Sequence, residues 1–190
     1  MIMNAEMFNF LQNRYAPIIK RMIESNVKFY RTGQTIRWQF GYKERVAIFA
    51  WCDQRTNVLT INIASVDFAF ERNEPLQIEY FLLHEIRHIY QHLEKETYKI
   101  NPLQCNNADL ARKWLEEEKH YIPALNKEDK ENAGYFKQDM ELDAYAYAFA
   151  VMKYKYGDVP YLYIPKAYER NREFAEIVDN WIQVFQEEGI

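Results

Sequence analysis

The stretch His84-Glu85-Ile86-Arg87-His88 decides how this chain is interpreted. Two histidines four residues apart on a helix project from the same face, about one turn from each other. That spacing lets both imidazoles reach one zinc ion at about 2.0–2.1 Å. His84 and His88 are therefore predicted to be metal ligands.

Glu85 adds a third functional group to the same stretch. It is rotated by about 100° from His84 around the helix axis. From there its carboxylate can take a proton from a water held by the ion, as a general base does. The alternative is an amphipathic helix that carries the two histidines by chance.

Length and composition predict one globular domain over residues 1–190. Hydrophobic residues make up 48% of the chain, which is long enough to bury a sizeable core. The net charge of −4 argues against general binding of nucleic acid. The first 45 residues nevertheless carry eight Lys or Arg against three Glu, a balance of +5. This segment is either a solvated basic face or a contact surface for an acidic partner.

Cysteine content and hydropathy favour a cytoplasmic protein. Cys52 and Cys105 form no C-x-x-C pair, so neither a disulfide framework nor a cysteine zinc site is expected. The N-terminus lacks the basic and apolar regions of a signal peptide. No run approaches the 18 or so apolar residues of a membrane span. We expect a soluble cytoplasmic protein with no membrane partner, and the oligomeric state stays open.

Apolar periodicity in the N-terminal part predicts a helix followed by strands. Residues 5–25 follow helical spacing after Asn4, a suitable N-cap, and Pro17 should kink or split this helix. Residues 34–70 alternate in a way that predicts a three-stranded antiparallel meander. A fourth short strand near 27–31 would extend it.

The remainder of the chain is predicted to be helical. Pro75 begins the helix that carries the motif, and Gly157 ends an Ala-rich helix. The predicted helices span about 75–96, 107–120, 138–156 and 168–188. The chain is thus expected to have an α+β fold.

A catalytic zinc usually has three protein ligands, and the other histidines do not supply the third. His92 lies about 12 Å from His84 along a straight helix, which is too far for one ion. Gln91 and Glu94 occupy positions where the longer metzincin pattern requires Gly and His. His120 is isolated in the sequence.

Glu141 is the better candidate for the third ligand. It begins the Ala-rich helix, whose small side chains would allow close approach to the motif helix. Asp143 is the alternative ligand. A further alternative is a buried helix whose first-turn carboxylates only stabilise its N-terminus.

The second motif carries a resemblance to a known family. Residues 141–148 read ELDAYAYA, which resembles the Glu-x-Glu/Asp-Ala-x-x-Phe/Tyr-Ala signature of the cytoplasmic ImmA/IrrE family. A His-Glu-x-x-His helix followed by a Glu-x-x-Ala helix is similar to the gluzincin class of zinc metallopeptidases. The resemblance covers about residues 34–156.

This resemblance implies a minimal zincin-like domain and a hydrolase. The expected fold has an N-terminal helix, a three- or four-stranded antiparallel sheet, a motif helix, a ligand helix and a C-terminal helix. The expected activity is hydrolysis of a protein or peptide substrate, with Zn²⁺ held by His84, His88 and Glu141 and with Glu85 as general base. Candidate donors to the oxyanion are Tyr145, Tyr147, His120 and Arg87.

Two other functions fit the same sequence. One is a non-catalytic or regulatory zincin-fold protein of a mobile element, which would bind a repressor or another partner. The other is a helical interaction domain in which the motif is accidental, and such a domain would bind no metal.

Overall fold

The computed structural model describes residues 3–45, 48–53, 56–124 and 132–190, and it confirms the α+β class. Its helices are α1 (Ala5–Ser25), α2 (Val27–Tyr30), α3 (Ile63–Glu71), α4 (Pro75–Ile100), α5 (Ala108–Glu118), α6 (Asp139–Tyr156) and α7 (Arg172–Glu188). Its strands are β1 (Arg37–Gly41), β2 (Ala50–Asp53) and β3 (Val58–Asn62). Single 3₁₀ turns occur at Pro102–Gln104 and Tyr135–Lys137.

The N-terminal helix forms as predicted, whereas the extra strand after it does not. The Asn4 side chain accepts a hydrogen bond from the Met7 N–H at 2.8 Å and caps α1. The helix continues through Pro17 and is not split. The fourth strand predicted near 27–31 is wrong, because the Phe29 N–H bonds to the Asn26 carbonyl and turns this segment into α2.

The sheet has three strands, as expected, but it is mixed rather than antiparallel. β3 lies between the other two, parallel to β1 and antiparallel to β2. Leu59 of β3 therefore faces Trp38 on one side and Cys52 on the other. The prediction of a meander failed because alternation of apolar residues identifies the buried face of a strand but not its neighbours.

The prediction that alternation over residues 58–70 forms one strand is wrong, because the segment divides at Asn62 into β3 and α3. The Asn62 Oδ1 accepts the Ala64 N–H at 3.3 Å and caps α3. Its Nδ2 donates to the carbonyls of Lys43, Arg45 and Ile48 at 2.8–3.1 Å. One buried side chain thus joins the connection between β1 and β2 to the start of α3.

Asn62→Ala is expected to lower the free energy of unfolding by about 3 kcal/mol, because it removes three hydrogen bonds to backbone carbonyls and the cap of α3, and each such bond contributes about 0.5–1.5 kcal/mol. Urea denaturation of the metal-free protein measures this loss. Asn107→Ala is the matched control, since the Asn107 side chain caps α5 by accepting the Leu110 N–H. It should cost about 1 kcal/mol. Equal losses in the two variants would contradict the role given to Asn62.

The helices pack so that the motif faces α6. The 26-residue α4 lies against both the sheet and α6, and α6 lies against α7. Ala144 and Ala148 of α6 are completely buried, which allows close helix packing. Within the described residues, no helix is long and apolar enough to cross a membrane.

Candidate metal centre

The two motif histidines lie on the face of α4 that meets α6. His84 is 2% exposed and His88 is 9% exposed. Their Nε2 atoms are 3.1 Å apart, and the two rings are almost perpendicular. The arrangement follows directly from the four-residue spacing, which places one ring a turn above the other.

Glu141, in the first turn of α6, completes the group. Its side chain is buried, and its Oε2 lies 3.6 Å from the Nε2 of His84 and 3.5 Å from the Nε2 of His88. Among the described residues, these three side chains form the group that can hold a metal ion.

The spacing of the three donor atoms suits a tetrahedral ion. Bonds of about 2.0–2.1 Å in a tetrahedron require ligand atoms about 3.3–3.4 Å apart. The three observed separations, 3.1, 3.5 and 3.6 Å, bracket that value. Two imidazole nitrogens and a carboxylate oxygen are also ligands that zinc accepts, with a fourth position left for a water.

Burial and mutual charge set the protonation of the three groups. Burial and the neighbouring His88 lower the pKa of His84 to about 3, so His84 is neutral at pH 7. Burial also acts to lower the pKa of His88, but the Glu141 carboxylate outweighs it and raises that pKa to about 9. Burial acts to raise the pKa of Glu141, and the two histidines bring it down to about 2. The metal-free site thus pairs a protonated His88 with an ionised Glu141.

Glu85 lies beside this group at the wall of a cavity of about 210 Å³. Burial raises the pKa of Glu85 to about 7, against the charge of His88 and a hydrogen bond from the Cys52 N–H, which both lower it. A carboxylate with a pKa near neutrality can take up and release a proton at pH 7. The cavity is lined by Trp51, Cys52, Glu85, His88, Tyr121, Tyr135, Met140 and Glu141.

Two tyrosines that the sequence interpretation missed lie at the same carboxylate. The Tyr121 hydroxyl donates to Oε1 of Glu141 at 3.0 Å, and the Tyr135 hydroxyl donates to Oε2. Both lie outside the two motifs, in the segment between α5 and α6. The pattern of that segment does not indicate a site residue, because no local spacing relates Tyr121 to Glu141, which lies 20 positions later.

Asp143, the alternative ligand, is engaged elsewhere. Its carboxylate receives two hydrogen bonds from Arg87, at 2.7 and 3.0 Å, in a buried ion pair. His92 and His120 also lie outside the group that can hold a metal.

The four candidate oxyanion donors differ in their hydrogen bonds and in their exposure. Arg87 is bound to Asp143, and the Tyr147 hydroxyl donates to the Phe29 carbonyl, so both are committed away from the cavity. The Tyr145 ring packs on His84, with ring centroids 4.1 Å apart. His120 follows the end of α5 and is exposed.

Comparisons with known proteins add no relative. No protein-family model matches the chain, and searches of curated proteins and of solved structures return no match either. Membership of the ImmA/IrrE family stays a prediction.

Proposed function

We propose that this protein is a zinc-dependent peptidase whose metal ligands are His84, His88 and Glu141. The observation that carries the proposal is the set of three buried donor atoms at tetrahedral spacing, with Glu85 at the adjoining cavity. On this proposal, residues 1–190 form one zincin-like domain with its core at about 34–156. Its similarity to the ImmA/IrrE family favours a cytoplasmic location.

The residues around the cavity would have different roles in peptide hydrolysis. A Zn²⁺ held by His84, His88 and Glu141 would supply an activated water and polarise the scissile carbonyl. Glu85 would accept a proton from the attacking water and deliver it to the leaving amine. Tyr121 and Tyr135 line the same cavity, and either hydroxyl would have to release Glu141 to donate to the carbonyl oxygen as it gains negative charge.

An extended peptide is the substrate that suits the surroundings of Glu85. Within the described residues, β2 has a strand neighbour on one side only, and its Trp51 and Cys52 line the cavity. An edge strand can pair with an extended segment of another chain through backbone hydrogen bonds. Such a segment would pass the scissile bond in front of Glu85.

Zinc at a hundred times its Kd is expected to raise the free energy of unfolding by about 2.7 kcal/mol, because it binds the folded state. His88→Ala should abolish that gain, since it removes one ligand. The matched control is His92→Ala, which removes a histidine from the same helix outside the group and should keep the gain. Thermal denaturation with added zinc or with a chelator measures both. A wild-type melting temperature that is indifferent to zinc and to chelator would contradict the proposed metal site.

A second candidate function is binding without catalysis, in a regulatory zincin-fold protein that engages a repressor or another partner. The observation favouring it is a groove of about 670 Å³ beside α1, α2 and β1, whose lining includes Lys20, Lys28 and Arg31. These three cations outnumber Glu24, the acidic residue of the same lining, and the excess suits an acidic partner. Two of them already form ion pairs within the protein, Lys20 with Glu24 and Arg31 with Glu188. Under this alternative, reversing the charges of Lys20 and Lys28 abolishes partner binding, whereas Glu85→Gln has no effect on function.

A further inference from the structure

We propose that Gln91 is a positioning residue that fixes the tautomer and the orientation of His88, and that the Arg87–Asp143 ion pair in turn holds Gln91. The inference rests on the proposed metal site, because it concerns how one of its ligands is presented. In the sequence, Gln91 was notable only because it stands where the metzincin pattern requires Gly.

The orientation of the Gln91 amide is determined by its surroundings. Gln91 is completely buried, and its Nε2 lies 2.9 Å from the Met140 carbonyl oxygen and 2.8 Å from Oδ2 of Asp143. Both neighbours are acceptors, so this end of the amide must be the NH₂ group. Rotating the amide by half a turn would place its oxygen against the carbonyl and the carboxylate.

The other end of the amide then determines the state of His88. The Gln91 Oε1 lies 2.8 Å from Nδ1 of His88. An amide oxygen only accepts hydrogen bonds, so the His88 Nδ1 must carry the hydrogen. The Nε2 is thereby left as the ligand atom, and it is the atom that faces Glu141 and His84.

The Arg87–Asp143 ion pair, which joins α4 to α6, holds this series of hydrogen bonds in place. Arg87 of α4 is 2% exposed and binds Asp143 of α6 through two nitrogens. Its guanidinium also lies 4.4 Å from the Tyr90 ring centroid and 4.5 Å from that of Tyr147. Because these contacts restrain the Arg87 guanidinium, its two hydrogen bonds fix the position of the Asp143 carboxylate. The carboxylate in turn fixes the Gln91 amide by accepting its hydrogen bond.

The other histidine ligand lacks this support. The Nδ1 of His84 is buried and has no hydrogen-bond partner among the described residues. His84 is held by packing against the Tyr145 ring. The two proposed ligands therefore differ in whether their Nδ1 is hydrogen-bonded. Loss of Gln91 should change the ring orientation and tautomer of His88 but not of His84.

The test replaces Gln91 with Met, which has similar length and lacks the amide. The matched control is Gln77→Met, since Gln77 is also a buried glutamine of α4 but bonds to the Tyr163 N–H. Histidine side-chain ¹⁵N NMR of the metal-free protein, recorded at a pH above the His88 pKa of about 9 so that the ring is neutral, reports which ring nitrogen carries the hydrogen. Competition with a chromophoric chelator gives the zinc affinity, and the Co²⁺ absorption spectrum reports the ligand geometry.

Wild-type protein should show a slowly exchanging hydrogen on Nδ1 of His88, and Gln77→Met should retain it. Gln91→Met should lose that protection and bind zinc about 10–100-fold more weakly, with an altered Co²⁺ spectrum. A wild-type His88 with no hydrogen on Nδ1, or a folded Gln91→Met protein with wild-type zinc affinity, would overturn the inference. The wild-type spectrum decides the hydrogen bond even if Gln91→Met does not fold. If wild-type protein binds no zinc, the proposed function fails, and the NMR result still stands separately.

Discussion

Glu85→Gln is expected to reduce peptide hydrolysis by at least about 10²–10⁴-fold, the usual contribution of general acid–base catalysis. The amide has the shape of the carboxylate but cannot accept the proton of the attacking water. The proposed ligands His84, His88 and Glu141 are unchanged, so the zinc affinity should stay close to that of the wild type. Initial rates on an unstructured protein substrate, with metal content measured on the same samples, check both expectations.

The matched control for this variant is Glu96→Gln. Glu96 lies on the same helix, its side chain is 46% exposed, and it forms an ion pair with Lys99. It should hydrolyse the substrate at the wild-type rate. A Glu85→Gln protein that binds zinc and keeps the wild-type rate would exclude Glu85 as the general base.

Asp143→Leu is expected to lower the free energy of unfolding by about 3–5 kcal/mol, because it leaves the buried Arg87 without its counterion. Arg87 is surrounded by aromatic rings and cannot move its charge to water without unpacking α4 from α6. Denaturant titration of the metal-free protein measures the loss, so that metal binding does not enter the comparison.

The double variant Arg87→Leu/Asp143→Leu distinguishes the stability lost through an unpaired charge from the stability lost through altered packing. Removing both partners leaves no unpaired charge and should recover much of the lost stability. If the double variant is no more stable than Asp143→Leu, the unpaired charge is not the cause of the loss. If Asp143→Leu is as stable as wild type, the buried ion pair does not hold the two helices together.

Short-range patterns predicted α1, α4, α5, α6 and α7, but not α2 and α3, which lie where strands were predicted. Asn4 was identified as a cap and does cap α1, and Gly157 ends α6 where the pattern placed it. The spacing of His84 and His88 predicted that their rings would meet, because the pitch of a helix determines which side chains are neighbours. These features depend on residues a few positions apart, so the local sequence contains the information.

The order of the strands in the sheet could not be predicted from local sequence patterns. Alternation marked β1 and β3 as strands with one buried face, but it does not state which strand lies beside which. The path between β1 and β2 decides the order, and Asn62, which was not singled out, holds part of that path by three hydrogen bonds.

The sequence by itself determined that His84, Glu85 and His88 would lie together on one helix, because covalent connectivity and helical pitch leave no other arrangement. It left Glu141 and Asp143 as rival ligands, since both carboxylates belong to the start of one helix. Only the tertiary structure separated them, because the packing of α6 on α4 brings Asp143 to Arg87 and Glu141 to the two histidines. Contacts between residues more than fifty positions apart depend on how whole helices pack, and no local pattern encodes that.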